Sequence, residues 1–187
     1  IGEGEATITA TCGSITATSH VSVKAPFVAY DVTSIDQIVD GDIYTFDLGD
    51  RGYLSYGDPN MSAGVIGVAY WEQEFAVVRT KKGIYIWNVE GRKFVPATGK
   101  AVQERPNGYF KMSAANEAGR WILTSSASGC WLQHGGACQF LVDDKWSTQD
   151  AGNRWKISAV GRMSDAVAAE ARAIVEEYEL TVGKVIS

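Results

Sequence analysis

Cysteine, proline and basic clusters are all scarce in this chain of 187 residues. Its three cysteines, Cys12, Cys130 and Cys138, are too few for a disulfide scaffold. Acidic side chains outnumber basic ones by 22 to 17, and the one basic cluster is 79–82, so we do not expect nucleic acid as a partner. No apolar run approaches the ~18 residues of a membrane-spanning helix, so no membrane-spanning segment is expected.

Glycine and aromatic side chains, by contrast, are frequent. Twenty glycines, 11% aromatic residues and only 21% charged residues are typical of an all-β protein with many turns. The length suffices for one globular domain with its own core, plus a fragment.

The first part of the chain alternates in the two-residue period of half-buried strands. Residues 5–24 read EATITATCGSITATSHVSVK, with CGS as the turn, which predicts a β-hairpin. Two strands cannot bury a face alone, so this hairpin needs a partner. Residues 26–39 are expected to form a linker with one helical turn that starts at Ser34.

Three later segments repeat one another. DGDIYTFDLGDRGYLS (40–55), KKGIYIWNVEGRKFVP (81–96) and AGRWILTSSASGCWLQ (118–133) align without a gap at offsets of 41 and 37 residues. The turn of each predicted hairpin carries a polar residue that stabilises turns, namely Asp47, Asn88 or Ser125. The shared apolar columns are Ile43/Ile84/Trp121, Tyr44/Tyr85/Ile122, Tyr53/Phe94/Trp131 and Leu54/Val95/Leu132.

A second apolar anchor closes each unit: Phe75-x-Val77, Phe110-x-Met112 and Trp155-x-Ile157. Three units of roughly forty residues are too few for most propellers and lack the leucine period of solenoids. The sequence therefore predicts an all-β fold, a β-trefoil over 40–161, in which six strands form a barrel and six cap it, leaving no exposed sheet edge.

The last part, 162–187, is predicted to contain a helix over 164–180. Ser164 can cap it, and Val167, Ala171, Ile174 and Tyr178 line one face at helical spacing. We expect this face to dock on the hairpin or on the barrel.

The segments DGDIYTFDLGDRGYLS and QDAGNRWKI (149–157) resemble ricin-type β-trefoil lectin modules, particularly divergent ones appended to bacterial surface proteins. Residues 1–25 are similar to the closing strands of bacterial Ig-like domains. The resemblance implies a glycan ligand and a secreted or cell-surface protein. The chain departs from the family's Gln-x-Trp motif. The three corresponding positions are Gln73-x-Phe75, Gly108-x-Phe110 and Asn153-x-Trp155. It also lacks the sugar-gripping aspartate, because those positions are Ser55, Pro96 and Gln133.

Other aromatic side chains are candidates for a sugar platform, because stacking on a ring supplies contact area while polar groups supply selectivity. Trp71 and Trp146 lie outside the repeated columns. Trp87 shares a column with Phe46 and Thr124, and we expect it to be exposed beside Asn88. The alternative is that these aromatic residues pack hairpins.

The segment CWLQHGGAC (130–138) suggests three kinds of site. Zinc is disfavoured because a closed structural site needs four ligands. Acyl-transfer catalysis is disfavoured because G-x-S-x-G is missing. For the cysteines themselves two alternatives remain: a Cys130–Cys138 disulfide, or two buried free thiols. We expect no cofactor, no metal and no enzyme activity.

These observations predict a non-catalytic, carbohydrate-binding accessory module of a larger secreted or cell-surface bacterial protein. Its partners would be a glycan and neighbouring domains of the same polypeptide. The alternatives are a structural spacer and a trefoil that recognises protein in the manner of an inhibitor, since one scaffold hosts many functions.

Overall fold

The computed structural model describes residues 4–56, 61–63, 73–99, 101–127, 129–135, 139–143 and 147–184. Within them the regular secondary structure is mainly β-strand, with one C-terminal helix and two 3₁₀ turns, Ile35–Gln37 and Gly49–Arg51. The strands are β1 (Gly4–Cys12), β2 (Ile15–Val23), β3 (Tyr30–Asp31), β4 (Asp42–Asp47), β5 (Leu54–Tyr56), β6 (Met61–Ala63), β7 (Phe75–Arg79), β8 (Ile84–Asn88), β9 (Lys93–Phe94), β10 (Phe110–Ala114), β11 (Trp121–Ser125), β12 (Trp131–Gly135), β13 (Gln139–Asp143) and β14 (Lys156–Arg162), and the helix is α1 (Asp165–Lys184).

Six strands close into a barrel in the order β4, β7, β8, β10, β11 and β14. Antiparallel ladders join successive strands, and the bridge between Trp121 and Trp155 closes the ring. Each unit adds a short hairpin: β5 with β6, β9 with the bridge from Phe94 to Gln103, and β12 with β13. The predicted all-β trefoil with a C-terminal helix is therefore confirmed.

The strand register shows the threefold relation and corrects the alignment by one residue. The bridges Tyr44–Phe75, Ile84–Phe110 and Trp121–Trp155 join the first and closing strands of units one, two and three. The counterpart of Ile84 and Trp121 is therefore Tyr44, and the predicted column with Ile43 is wrong. Tyr44 likewise does not share a column with Tyr85 and Ile122, and Phe46 does not share one with Trp87 and Thr124.

The shift arises in the first hairpin, which is one residue shorter than the other two. The equivalent bridges join positions 47 and 53, 87 and 94, and 124 and 131, so five residues separate the partners in the first hairpin and six in the other two. After the turn, the gapless alignment is correct again. Leu54, Val95 and Leu132 all lie in the barrel core, as predicted.

The core inside the barrel is built from matched positions of the three units. Phe46, Ile86 and Leu123 lie opposite Ile157, Val77 and Met112 on the closing strands. The first five are buried, with 2% exposure or less. The closing anchors Phe75, Phe110 and Trp155 are buried as well, at 1% or less. Repetition of apolar side chains at these positions gives each unit the same share of one common core.

Residues 26–39, predicted to be a linker, instead include a segment that packs on the barrel. Strand β3 pairs with β14, and Val32 is fully buried. The indole Nε1 of Trp121 donates a hydrogen bond of 2.8 Å to the carbonyl oxygen of Val32. The helical turn predicted at Ser34 is confirmed, because Ser34 and Gln37 form a capping box around it.

Strands β1 and β2 form a separate two-stranded sheet, and all eighteen of their residues are exposed. One face carries the apolar side chains, including Ile8, Ile15 and Val21, which are 58%, 74% and 39% exposed. The predicted hairpin is present, and its apolar face is uncovered in the described part of the chain.

Helix α1 docks on the outside of the second unit, which settles the alternative in favour of the barrel. Ala171 and Val175 are buried in one cluster with Tyr85 and Trp87, and the four predicted face residues belong to that cluster. Ser164 accepts a hydrogen bond of 3.4 Å from the amide of Val167, as predicted for the cap. Among the described residues, no helix is long and apolar enough to cross a membrane.

Candidate functional site

The three positions that hold the sugar-gripping aspartate in ricin-type lectins are closed to solvent here. Ser55 is 1% exposed, Gln133 is fully buried, and Pro96 is buried as well. None of the three is a carboxylate, and proline has no side-chain polar group. These residues therefore pack the hairpins and do not form an open sugar pocket.

The expectation that Trp87 is exposed beside Asn88 is wrong, because both side chains are fully buried. Helix α1 covers the outer face of β8, and the Arg92 guanidinium lies 5.2 Å from the centre of the indole ring of Trp87. Asn88 holds its hairpin turn: it accepts a bond of 2.6 Å from the amide of Gly91 and donates one of 3.1 Å to the carbonyl of Glu74. Neither side chain offers a surface to a ligand.

Trp71, Trp146 and Cys138 lie outside the described residues, so their predicted roles remain predictions. Cys130 is half-buried and directly precedes β12.

The described part of the molecule contains a recess between the first and third units. It has a volume of about 240 Å³ and is lined by Leu48, Gly49, Asp50, Glu117, Arg120 and Arg154, with Ala151 beside them. Gly49 and Asp50 come from the 3₁₀ turn after β4, and the two arginines directly precede the bridged Trp121 and Trp155. The barrel closure thus brings together residues that are far apart in the sequence.

Backbone conformation shapes one wall of the recess. Gly49 has φ of +70°, which glycine adopts readily and other residues rarely do. A Cβ atom at this position would lie 3.8 Å from Nη2 of Arg120. The glycine therefore allows the tight turn and leaves room beside the guanidinium.

Arg120 forms hydrogen bonds with three separate parts of the chain around this recess. Its Nε donates a bond of 2.8 Å to Glu117, and its Nη1 donates to the carbonyls of Asp47 and Arg154 at 3.2 and 3.0 Å. The side chain is only 20% exposed. Such charge-assisted bonds fix the orientation of a guanidinium.

Arg154 is fixed in a similar way from the other side. Its Nη1 donates to Asn116 at 3.2 Å and lies 3.3 Å from the second carboxylate oxygen of Glu117. Its side chain is 24% exposed. Glu117 therefore contacts both guanidinium groups, and no other carboxylate of the described residues forms an ion pair with either arginine, so one unit of positive charge lacks a carboxylate partner there.

Donors and one acceptor remain free at the recess. Among the described residues, Nη2 of Arg120, Nη2 of Arg154 and the carboxylate of Asp50 make no hydrogen bond. Asp50 is exposed at the rim. Sequence reasoning missed this site; the available signal was the dipeptide Arg-Trp, which occurs at both residues of the Trp121–Trp155 bridge.

The groups with shifted pKa values lie elsewhere. Burial is the main cause that raises the pKa values of Tyr30 and Tyr85 far above 10.0, and their hydrogen bonds to acidic side chains add to it. A hydrogen bond from Ser158 and another from Lys156 lower the pKa of Asp31. In the part of the chain that the structure describes, no three His, Cys, Asp or Glu side chains are grouped as metal ligands.

Comparison of the sequence with models of known families and with curated proteins gives no match. Comparison of the structure with solved structures gives several. The lectin SeviL, solved with asialo-GM1 saccharide, is 12% identical with a TM-score of 0.52; the match covers 64% of this chain and 97% of that one. Polyporus squamosus lectin, solved with a sialylated influenza-binding epitope, is 13% identical with a TM-score of 0.50; the match covers 65% of this chain and 50% of that one. At these identities, the likeness shows that the chain has the fold of β-trefoil lectins.

Proposed function

We propose that this protein is a non-catalytic carbohydrate-binding module. The observation that carries the proposal is the closed threefold barrel, whose fold is shared with two lectins solved with bound saccharides. The buried positions Ser55, Pro96 and Gln133 argue that binding does not use the ricin-type aspartate site. Trp71 and Trp146 remain the aromatic candidates for a sugar platform.

We further propose that the module serves a larger secreted or cell-surface bacterial protein. The exposed apolar face of the β1–β2 hairpin supports this accessory role, because two strands alone do not bury a core. The neighbour would be an Ig-like domain of the same polypeptide, to which β1 and β2 would contribute. A spacer without sugar binding is the alternative that the same exposed face supports.

A glycan array with the intact chain tests the carbohydrate proposal. We expect binding to a restricted set of glycans, and we expect Trp71→Ala or Trp146→Ala to reduce it by about tenfold, since stacking on one ring supplies roughly 1 kcal/mol or more. Val28→Ala is the control, because Val28 is apolar, 78% exposed and outside the trefoil loops. Silence across the array with a folded protein would contradict sugar binding and favour the spacer.

A further inference from the structure

The geometry points to the recess between the first and third units as a binding site for a carboxylate-bearing sugar, such as a uronic acid residue. This inference rests on the proposed carbohydrate binding and assigns it a ligand class and a place. None of the ricin-type positions Ser55, Pro96 and Gln133 lines this recess.

The arginine pair supplies the positive charge that such a ligand needs. Both guanidinium groups are held in place through Nε or Nη1, while their Nη2 amino groups remain free. A carboxylate accepts two parallel N–H bonds from guanidinium groups, and these are among the stronger hydrogen bonds in proteins. Because the side chains of Arg120 and Arg154 are only 20% and 24% exposed, solvent screens this interaction less than it would at an open surface.

The charge balance of the recess favours an acid over a neutral sugar. One carboxylate, Glu117, serves two guanidinium groups, so a ligand carboxylate would compensate the remaining charge. Asp50 at the rim opposes this effect, because its carboxylate carries the same charge as the ligand; it is exposed and makes no bond to either arginine. If the ligand is an acid, Asp50 repels its carboxylate and weakens binding. If the ligand is a neutral sugar, Asp50 accepts hydrogen bonds from two of its hydroxyl groups and strengthens binding.

The size of the recess limits the ligand to about one sugar residue. A volume of about 240 Å³ lies below the range of ~300–1,000 Å³ that is common for drug-sized ligands. Leu48 and Ala151 add apolar surface for the ring carbons. The Nη2 donors that the carboxylate does not use remain free for the hydroxyl groups of the sugar acid.

The experiment is an NMR titration of the intact chain with methyl β-glucuronide. The matched neutral probe is methyl β-glucoside, and acetate serves as a carboxylate without a sugar ring. We expect the glucuronide to shift the backbone amide signals of Gly49, Arg120 and Ala151, and added salt to weaken it. Equal shifts with the glucoside, or with acetate at the same concentration, would overturn the assignment to a sugar acid.

Two variants and one control sharpen the assignment. Arg154→Gln should weaken glucuronide binding by about tenfold, because it removes a charged donor. Asp50→Asn should strengthen it by about threefold, because it removes a like charge. Arg51→Gln removes the same charge as Arg154→Gln from an exposed neighbour that does not line the recess, and it should change binding less than about twofold. Weaker binding in Asp50→Asn would contradict an acidic ligand, even if Arg154→Gln failed to fold.

The outcome separates this inference from the broader proposal. If glycans bind on the array but the glucuronide leaves the recess signals unchanged, the recess inference fails and the carbohydrate module stands. If the array is silent and the recess signals do not move, both fail.

Discussion

At the residue scale, the best-supported feature is the set of matched core positions. Phe46, Ile86 and Leu123 occupy the same place in three units and are all 1% exposed or less. Each contributes to one barrel interior, so a cavity in any unit removes packing contacts from the core that all three units share. The polar turn residues also act locally: Asp47 accepts from Gly49 at 2.7 Å, and Ser125 accepts from Ala127 at 3.1 Å.

A substitution in this column tests the shared core. Leu123→Ala should lower the free energy of unfolding by about 2–5 kcal/mol, because it removes buried methyl groups and leaves a cavity. Chemical denaturation provides the measurement. Val28→Ala, at a side chain that is 78% exposed, should change the free energy by less than about 0.5 kcal/mol. A similar cost for both substitutions would argue against a packed barrel core at this position.

Buried tyrosines predict a loss of stability in alkali. Burial is the main cause that raises the pKa values of Tyr30, Tyr44, Tyr85 and Tyr178 above the ordinary value of 10.0. Below pH 10 both the folded and the unfolded states are protonated, so this contribution is fully present. As the pH rises further, the unfolded state ionises first, and the free energy of unfolding therefore falls.

Titration of tyrosinate absorbance, together with denaturation at several pH values, checks this expectation. Tyr30, Tyr44, Tyr85 and Tyr178 should ionise in the folded protein only above pH 10. Tyr85→Phe should flatten the alkaline loss while reducing stability near neutrality, since the hydroxyl donates a bond of 2.8 Å to Glu179. Simultaneous ionisation of all tyrosines near pH 10 in the folded protein would contradict it.

At the element scale, helix α1 is an integral cover of the second unit. It buries Ala171 and Val175 against Tyr85 and Trp87, and it forms ion pairs with the trefoil through Glu170. This packing explains why an aromatic residue on the outer face of β8 is inaccessible. Most of the stabilisation comes from the apolar contact, because exposed ion pairs contribute little.

A buried charge should therefore undock the helix. Val175→Asp should reduce the free energy of unfolding by about 3 kcal/mol or more, because the new carboxylate has no partner in an apolar cluster. Hydrogen exchange should show loss of protection in 165–184 while β4 and β11 stay protected. Ala173→Asp is the matched control, because it adds the same charge on the exposed face of the same helix. Equal exchange in the two variants would count against docking.

At the scale of the whole molecule, the N-terminal hairpin contributes no residue to either hydrophobic cluster of the trefoil and its helix. All residues of β1 and β2 are exposed, and an ion pair of 2.8 Å between Lys24 and Asp165 lies at the boundary. The barrel, in contrast, closes on itself and leaves no strand of the ring unpaired. The trefoil therefore does not need the hairpin for its core.

Removal of residues 1–23 should leave the trefoil intact. We expect the midpoint of thermal unfolding to change by less than about 3 °C, which corresponds to under about 1 kcal/mol for a chain of this size. Differential scanning calorimetry measures it, and the variant keeps Lys24 and its ion pair. A larger decrease would mean that the hairpin packs on the barrel.

The amino-acid sequence alone was enough to predict three units, their hairpins, the closing anchors and the C-terminal helix. The reason is that core periodicity, turn residues and caps are local patterns, and threefold repetition makes them visible three times. The departures came from contacts between distant parts of the chain. A first hairpin one residue shorter moved Tyr44 to the place expected for Ile43, and β3 paired with β14 where a linker was expected.

The burial of Trp87 and the arginine recess emerged only after the chain was folded. Whether an aromatic side chain is exposed depends on what packs over it, and here a helix from about eighty residues later covers it. Arg120 and Arg154 meet because the barrel closes between β11 and β14, a bridge that joins positions 121 and 155. Local sequence patterns specify strands, turns and helices, whereas the closure of the barrel brings together side chains that no local pattern connects.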